Sequence, residues 1–63
     1  MSRADLTDAE MADLSRIGRE IHAASDVAGF AVAGGDVDLG TRALEKAASL
    51  LDPYMALLDR LLA

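Results

Sequence analysis

The run Leu50-Leu51-Asp52-Pro53-Tyr54-Met55-Ala56-Leu57-Leu58-Asp59-Arg60-Leu61-Leu62-Ala63 decides how this chain folds, because its six leucines fall into two parallel seams. Leu44, Ala48, Leu51, Met55, Leu58 and Leu62 are spaced 4-3-4-3-4; Ala43, Ala47, Leu50, Tyr54, Leu57 and Leu61 repeat that spacing one position earlier. Apolar residues at alternating steps of three and four mark one face of a helix. Two adjacent seams make a stripe wider than a single helical neighbour covers. A chain of 63 residues buries only about 60% of its unfolded surface and has little stability to spare. The surplus apolar surface therefore points to contact with another protein.

Pro53 interrupts this run without shifting the phase of either seam. Its own stripe is Arg42, Glu45/Lys46, Ser49, Asp52/Pro53, Ala56 and Asp59/Arg60, a polar set that places the proline toward solvent. A kink is best tolerated there, because the core register survives it. The rival reading makes Asp52 the N-cap and Pro53 the first residue of a third helix.

Working back along the chain, Thr7-Asp8-Ala9-Glu10 has the form of a capping box, with Leu6 and Met11 spaced to form a hydrophobic staple. Helix 1 is expected over about residues 8–33. Its seam is Leu14, Ile17, Ile21, Ala24, Ala28 and Ala31, spaced 3-4-3-4-3. Nine of the thirteen residues from Ala23 to Gly35 are Ala, Gly or Ser, which lets another helix approach closely. Gly34 and Gly35 end the helix, and Asp36 and Asp38 are candidate caps for the next one. The connector is expected at residues 34–38 and helix 2 at about 39–63. A connection this short makes the helices antiparallel neighbours.

Composition excludes several classes. Ala and Leu supply 23 residues and β-branched residues are few, so the chain reads as all-α. The absence of cysteine removes disulfide and thiol chemistry. A net charge of −5 disfavours direct binding to nucleic acid or anionic membranes. The N-terminal residues lack the basic and apolar regions of a secretory signal, and Val27–Gly35 is too short to span a bilayer. A cytoplasmic protein is expected. The Ala/Asp/Arg-rich, Lys-poor usage is that of GC-rich bacterial or phage genes.

Gly35-Asp36, Ala43-Leu44-Glu45-Lys46-Ala47-Ala48 and Leu51-Asp52-Pro53 together resemble the second helix of a tetratricopeptide repeat, with a one-residue shift. Helix 1 is too long for the first helix of such a repeat, and one repeat forms no solenoid, so the family is not assigned. Asp36-Val37-Asp38-Leu39-Gly40 lacks the third oxygen ligand and the terminal Glu of an EF-hand loop. His22, with Asp26 one turn on, has no further His or Cys to complete a metal site. Ser15 and Ser25 flank His22 on one helix, with no third group and no oxyanion hole.

The expected architecture is an antiparallel helical hairpin, its second helix kinked or broken at Pro53, paired into a four-helix bundle. No catalytic, cofactor-binding or metal residue is expected. The candidate partner-binding residues are Val27, Phe30, Leu50, Tyr54, Leu57, Leu58, Leu61 and Leu62. Phe30 lies off the main seam on the line Arg16, Glu20, Ala23, Val27, Phe30, either as an interface anchor or beneath a wrapped loop. The expected function is that of a small acidic interaction protein — a regulator, adaptor or accessory subunit — whose partner is another protein, a second copy or both. The alternative is a phage-type acidic inhibitor, such as an anti-CRISPR or DNA-mimic protein. Its cluster Asp5, Asp8, Glu10 and Asp13 would occlude a nucleic-acid-binding protein.

Overall fold

A computed structural model describes residues 6–62. Helix α1 spans Asp8–Ala33 and helix α2 spans Val37–Leu62, and the two pack side by side as a helical hairpin. Asp5 of the acidic cluster and Ala63, assigned to the end of helix 2, lie outside the described residues.

The helix ends follow from local chemistry. The Thr7 hydroxyl accepts from the Glu10 amide at 3.1 Å, and the Glu10 carboxylate accepts from the Thr7 amide at 3.0 Å. Both halves of the capping box are therefore closed. At the other end, the Asp36 amide donates to the Ala31 carbonyl at 2.8 Å and the Gly35 amide to the Val32 carbonyl at 3.0 Å. This pair of bonds is a Schellman motif. It needs a left-handed residue between helix and connector, and Gly35 supplies it at φ 86°.

The connector is shorter than expected. Asp36 caps α2, its Oδ1 accepting from the Leu39 amide at 3.1 Å, so the helix begins at Val37 instead of near residue 39. Of two candidate caps the earlier one is used, because Asp36 is already placed by the Schellman turn.

Helix α2 continues through Pro53 without a break, so no third helix begins there. Proline removes one amide donor, which leaves the Ser49 carbonyl without its usual helical partner. Ser49 and Pro53 are both exposed, so water can satisfy that carbonyl. The Ser49 hydroxyl donates to the Lys46 carbonyl at 2.8 Å on the same turn.

Contacts between the helices run from the turn outward. Gly40 lies against Ala28 and Val32, Tyr54 against Gly18, and Arg60 pairs with Glu10. Near the turn the packed residues are small: Ala24, Ala28 and Ala31 meet Gly40, Ala43 and Ala47, all buried. A Cβ on Gly40 would stand 2.7 Å from Val32 Cγ2, so any side chain there makes Val32 shift at this helix separation. Farther out the spacing is filled by Leu14, Ile17, Ile21, Leu50, Tyr54, Leu57 and Leu61, of which only Ile17 is buried and the rest are half-buried. A Cβ on Gly18 would meet the Tyr54 ring at 3.2 Å, so this glycine gives the aromatic its seat.

The buried core is thin. It consists of Ile17 and alanines, together with Gly40. Alanine contributes a single methyl group, worth about 0.8 kcal/mol or less when buried, against roughly 1.5–3 kcal/mol for a large apolar side chain. Most of the large apolar side chains lie outside this core.

Candidate functional site

Of the two seams on α2, the one containing Ala43, Ala47, Leu50, Tyr54, Leu57 and Leu61 faces α1. The neighbouring series is left largely uncovered: Leu44, Leu51, Met55 and Leu62 are 54%, 45%, 49% and 66% exposed. Ala48 between them is exposed too, and Leu58 is half-buried. Val37 extends the row past the start of the helix turn. The result is an apolar row along the length of α2 that the described residues leave largely uncovered.

Beside this row, on the same side of the hairpin, α1 offers Ser15, Gly18, His22, Ser25, Gly29 and Val32, spaced 3-4-3-4-3. One open groove there is lined by Met11, Ser15, Gly18, His22 and Tyr54, and a second by Ser25, Gly29, Val32 and Leu44. A Cβ built on Gly29 meets nothing within 4 Å. Large side chains on α2 thus border a shallow trough on α1, small at Ser15, Gly18, Ser25 and Gly29 and bulkier at His22 and Val32.

The opposite side has another character. Its groove is lined by Glu20, Ala23, Val27, Leu39, Arg42 and Lys46, so an apolar floor is flanked by charge. Phe30 is 86% exposed, and no described residue covers it. The outward edge of α2 carries Asp38, Glu45, Asp52 and Asp59 at seven-residue intervals. Helix α2 therefore separates its surface into an apolar flank, a basic flank and an acidic edge.

The candidate partner-binding residues are divided by this arrangement. Val27, Phe30 and Leu62 are exposed, while Leu50, Tyr54, Leu57 and Leu61 are half-buried toward α1 and Leu58 is half-buried within the outer row. Leu44, Leu51 and Met55 were not among the candidates, although they are more exposed than most that were. Their signal was present as the same 4-3 series that contains Leu58 and Leu62. What identifies the inward seam is Gly40, which is in phase with Ala43 and Ala47 and so matches the small residues of α1.

The ion pair of Arg60 with Glu10 ties the two helices together. Arg60 forks the Glu10 carboxylate, its Nη2 donating to Oε1 at 3.3 Å and its Nη1 to Oε2. That bond, followed by the one from the Thr7 amide, holds the Glu10 carboxyl below its ordinary pKa. One side chain thus closes the cap of α1 and fastens the end of α2. Arg16 pairs with Asp13 at 3.5 Å and with Glu20 on the same helix face.

Two further polar contacts lie on the exposed surface of α1. His22 Nε2 lies 3.4 Å from Asp26 Oδ2, with both side chains mostly exposed. The Ser15 hydroxyl accepts from Arg19 Nη1 at 2.9 Å. Among the described residues no group of three or more His, Asp or Glu is placed to hold a metal ion. Among them also, no helix is long and apolar enough to cross a membrane. Comparison of the chain with protein-family models, with curated proteins and with solved structures returned no match.

Proposed function

We propose that this chain is a non-enzymatic helical interaction protein of the cytoplasm, a regulator, adaptor or accessory subunit that acts by docking an apolar helix face onto another protein. In this reading the hairpin is antiparallel, α2 bends modestly at Pro53, and the docked assembly is a four-helix bundle. The observation that supports it most is the exposed row Leu44, Leu51, Met55 and Leu62 beside a core made chiefly of alanine. Apolar area of this extent is favourable to remove from water, and among the described residues no further element covers it.

The reading as an acidic inhibitor draws less support. Within its cluster Glu10 is engaged by the cap and Arg60, and Asp13 by Arg16. The two readings separate in a pull-down of host proteins by tagged chain, quantified by mass spectrometry at low and high salt. Docking through the row is expected to survive high salt and to be lost in Leu44→Asp and Leu51→Asp. Capture that vanishes with salt and tolerates both substitutions would reject the apolar reading. Phe30→Ala, at a site already exposed, is expected to leave helicity unchanged while weakening any contact made through the other side.

A further inference from the structure

We propose that the occupant of the leucine row is a second copy of this chain, turned about an axis parallel to the helices so that both turns lie at the same end. The row of each α2 then seats in the trough along the other copy's α1. This rests on the reading of the row as a docking surface, and it names the partner and the manner of docking.

Self-complementarity carries the argument. A single side of the hairpin holds both the ridge and the trough, of matching length, since α1 and α2 are each 26 residues. A twofold rotation about the long axis places ridge on trough twice in one operation and closes the assembly. The other face-to-face twofold, about an axis across the helices, sets ridge on ridge and trough on trough, leaving the trough unfilled. The levels agree as well. Leu44 borders Ser25 and Gly29 within one chain, and Tyr54 sits at Gly18. The rotation preserves height along the axis, so Leu44 meets the trough near Gly29, Leu51 near His22 and Met55 near Gly18.

The area is sufficient. Helices of this length extend about 39 Å, and two side by side are roughly 20 Å wide, which offers about 800 Å² per copy. That is the contribution of each partner to a standard stable interface, again about 800 Å². Charges at the margin do not decide the matter. Asp52 comes level with Arg19 of the other copy, which attracts, and Glu45 comes level with Asp26, which repels. Exposed rim pairs of this kind contribute little either way. The opposite flanks, with Val27 and Phe30, stay outside the bundle and remain open to a further protein.

The test uses the full chain, with mass measured by light scattering and helicity by circular dichroism across a concentration series. The wild type is expected at twice its chain mass. Leu51→Asp and Gly29→Leu are both expected to give monomers that retain most of their helicity. Gly29→Leu is the decisive variant, because a Cβ there meets nothing within 4 Å in one hairpin, while the added side chain would enter the ridge of a second copy. Spin labels at Asp38→Cys report the arrangement by dipolar distance: less than half of the 50 Å molecular length if the turns lie together, and near that length if they lie apart. A wild type that stays monomeric at high micromolar concentration overturns the inference. In that case, host-protein capture that still requires Leu51 would leave the docking reading standing, and capture indifferent to Leu51 would remove both. A dimer that tolerates Gly29→Leu, or one with distant labels, overturns the proposed seating.

Discussion

Glu10 has three simultaneous partners: the Thr7 amide, which its own carboxylate caps, and the two guanidinium nitrogens of Arg60. Its folded-state pKa is depressed, so the carboxylate contributes stability that is present above the ordinary value near 4.5 and is lost as the pH falls through and below it. Glu10→Gln is expected to lower the melting temperature at about pH 7, and the gap to wild type should narrow progressively as the pH falls below 4.5. Thermal melts by circular dichroism at a series of pH values check this; a gap that persists in acid would mean that the charge contributes nothing. Gly40 acts at the same scale by its lack of a side chain. Gly40→Leu forces the Val32 side chain to shift and is expected to cost roughly 1–3 kcal/mol by denaturant titration, as overpacking does. An unchanged midpoint would show that the helices separate freely at the turn.

At the scale of the element, α2 tolerates a proline because of where that proline sits. Both seams pass through it in phase, and Ser49, whose carbonyl it deprives of a donor, is exposed. Pro53→Ala restores an amide in an exposed helix interior. It is expected to stabilise the chain by roughly 1–3 kcal/mol, the propensity difference reduced by greater freedom in the unfolded state. A loss of stability would mean that a bend at Pro53 is required for packing. The start of the same helix is tested by a pair of variants. Asp36→Ala is expected to cost about 1 kcal/mol as a lost N-cap, and Asp38→Ala far less, since only Asp36 accepts from the Leu39 amide. Equal costs would move the cap.

At the scale of the molecule, the hairpin has more apolar surface than its single internal interface removes from water. Its melting temperature is therefore expected to rise with protein concentration, because association stabilises the folded chain by mass action. Leu51→Asp should abolish that dependence while leaving the melt of the dilute chain little changed. A concentration-independent melt in the wild type would indicate that the thin alanine core suffices alone.

Much of this was legible in the residues themselves. Both helices, the capping box at Thr7, the glycine stop at Gly35 and the phase of every seam follow from interactions within a few positions of one another. Such interactions depend on local spacing and need no knowledge of the rest of the chain. The bounds of α1 came out as read, while α2 begins two residues early because a turn positioned Asp36 before Asp38 could serve. Only the tertiary structure decided which α2 seam faces α1. Both seams have the same spacing and nearly the same composition, so periodicity cannot choose between them. The inward seam is the one in phase with Gly40, where the absence of a side chain lets Ala28 and Val32 come near. The bridge from Arg60 to Glu10 was beyond the sequence for the same reason, since fifty positions separate its partners and only the packed helices bring them together.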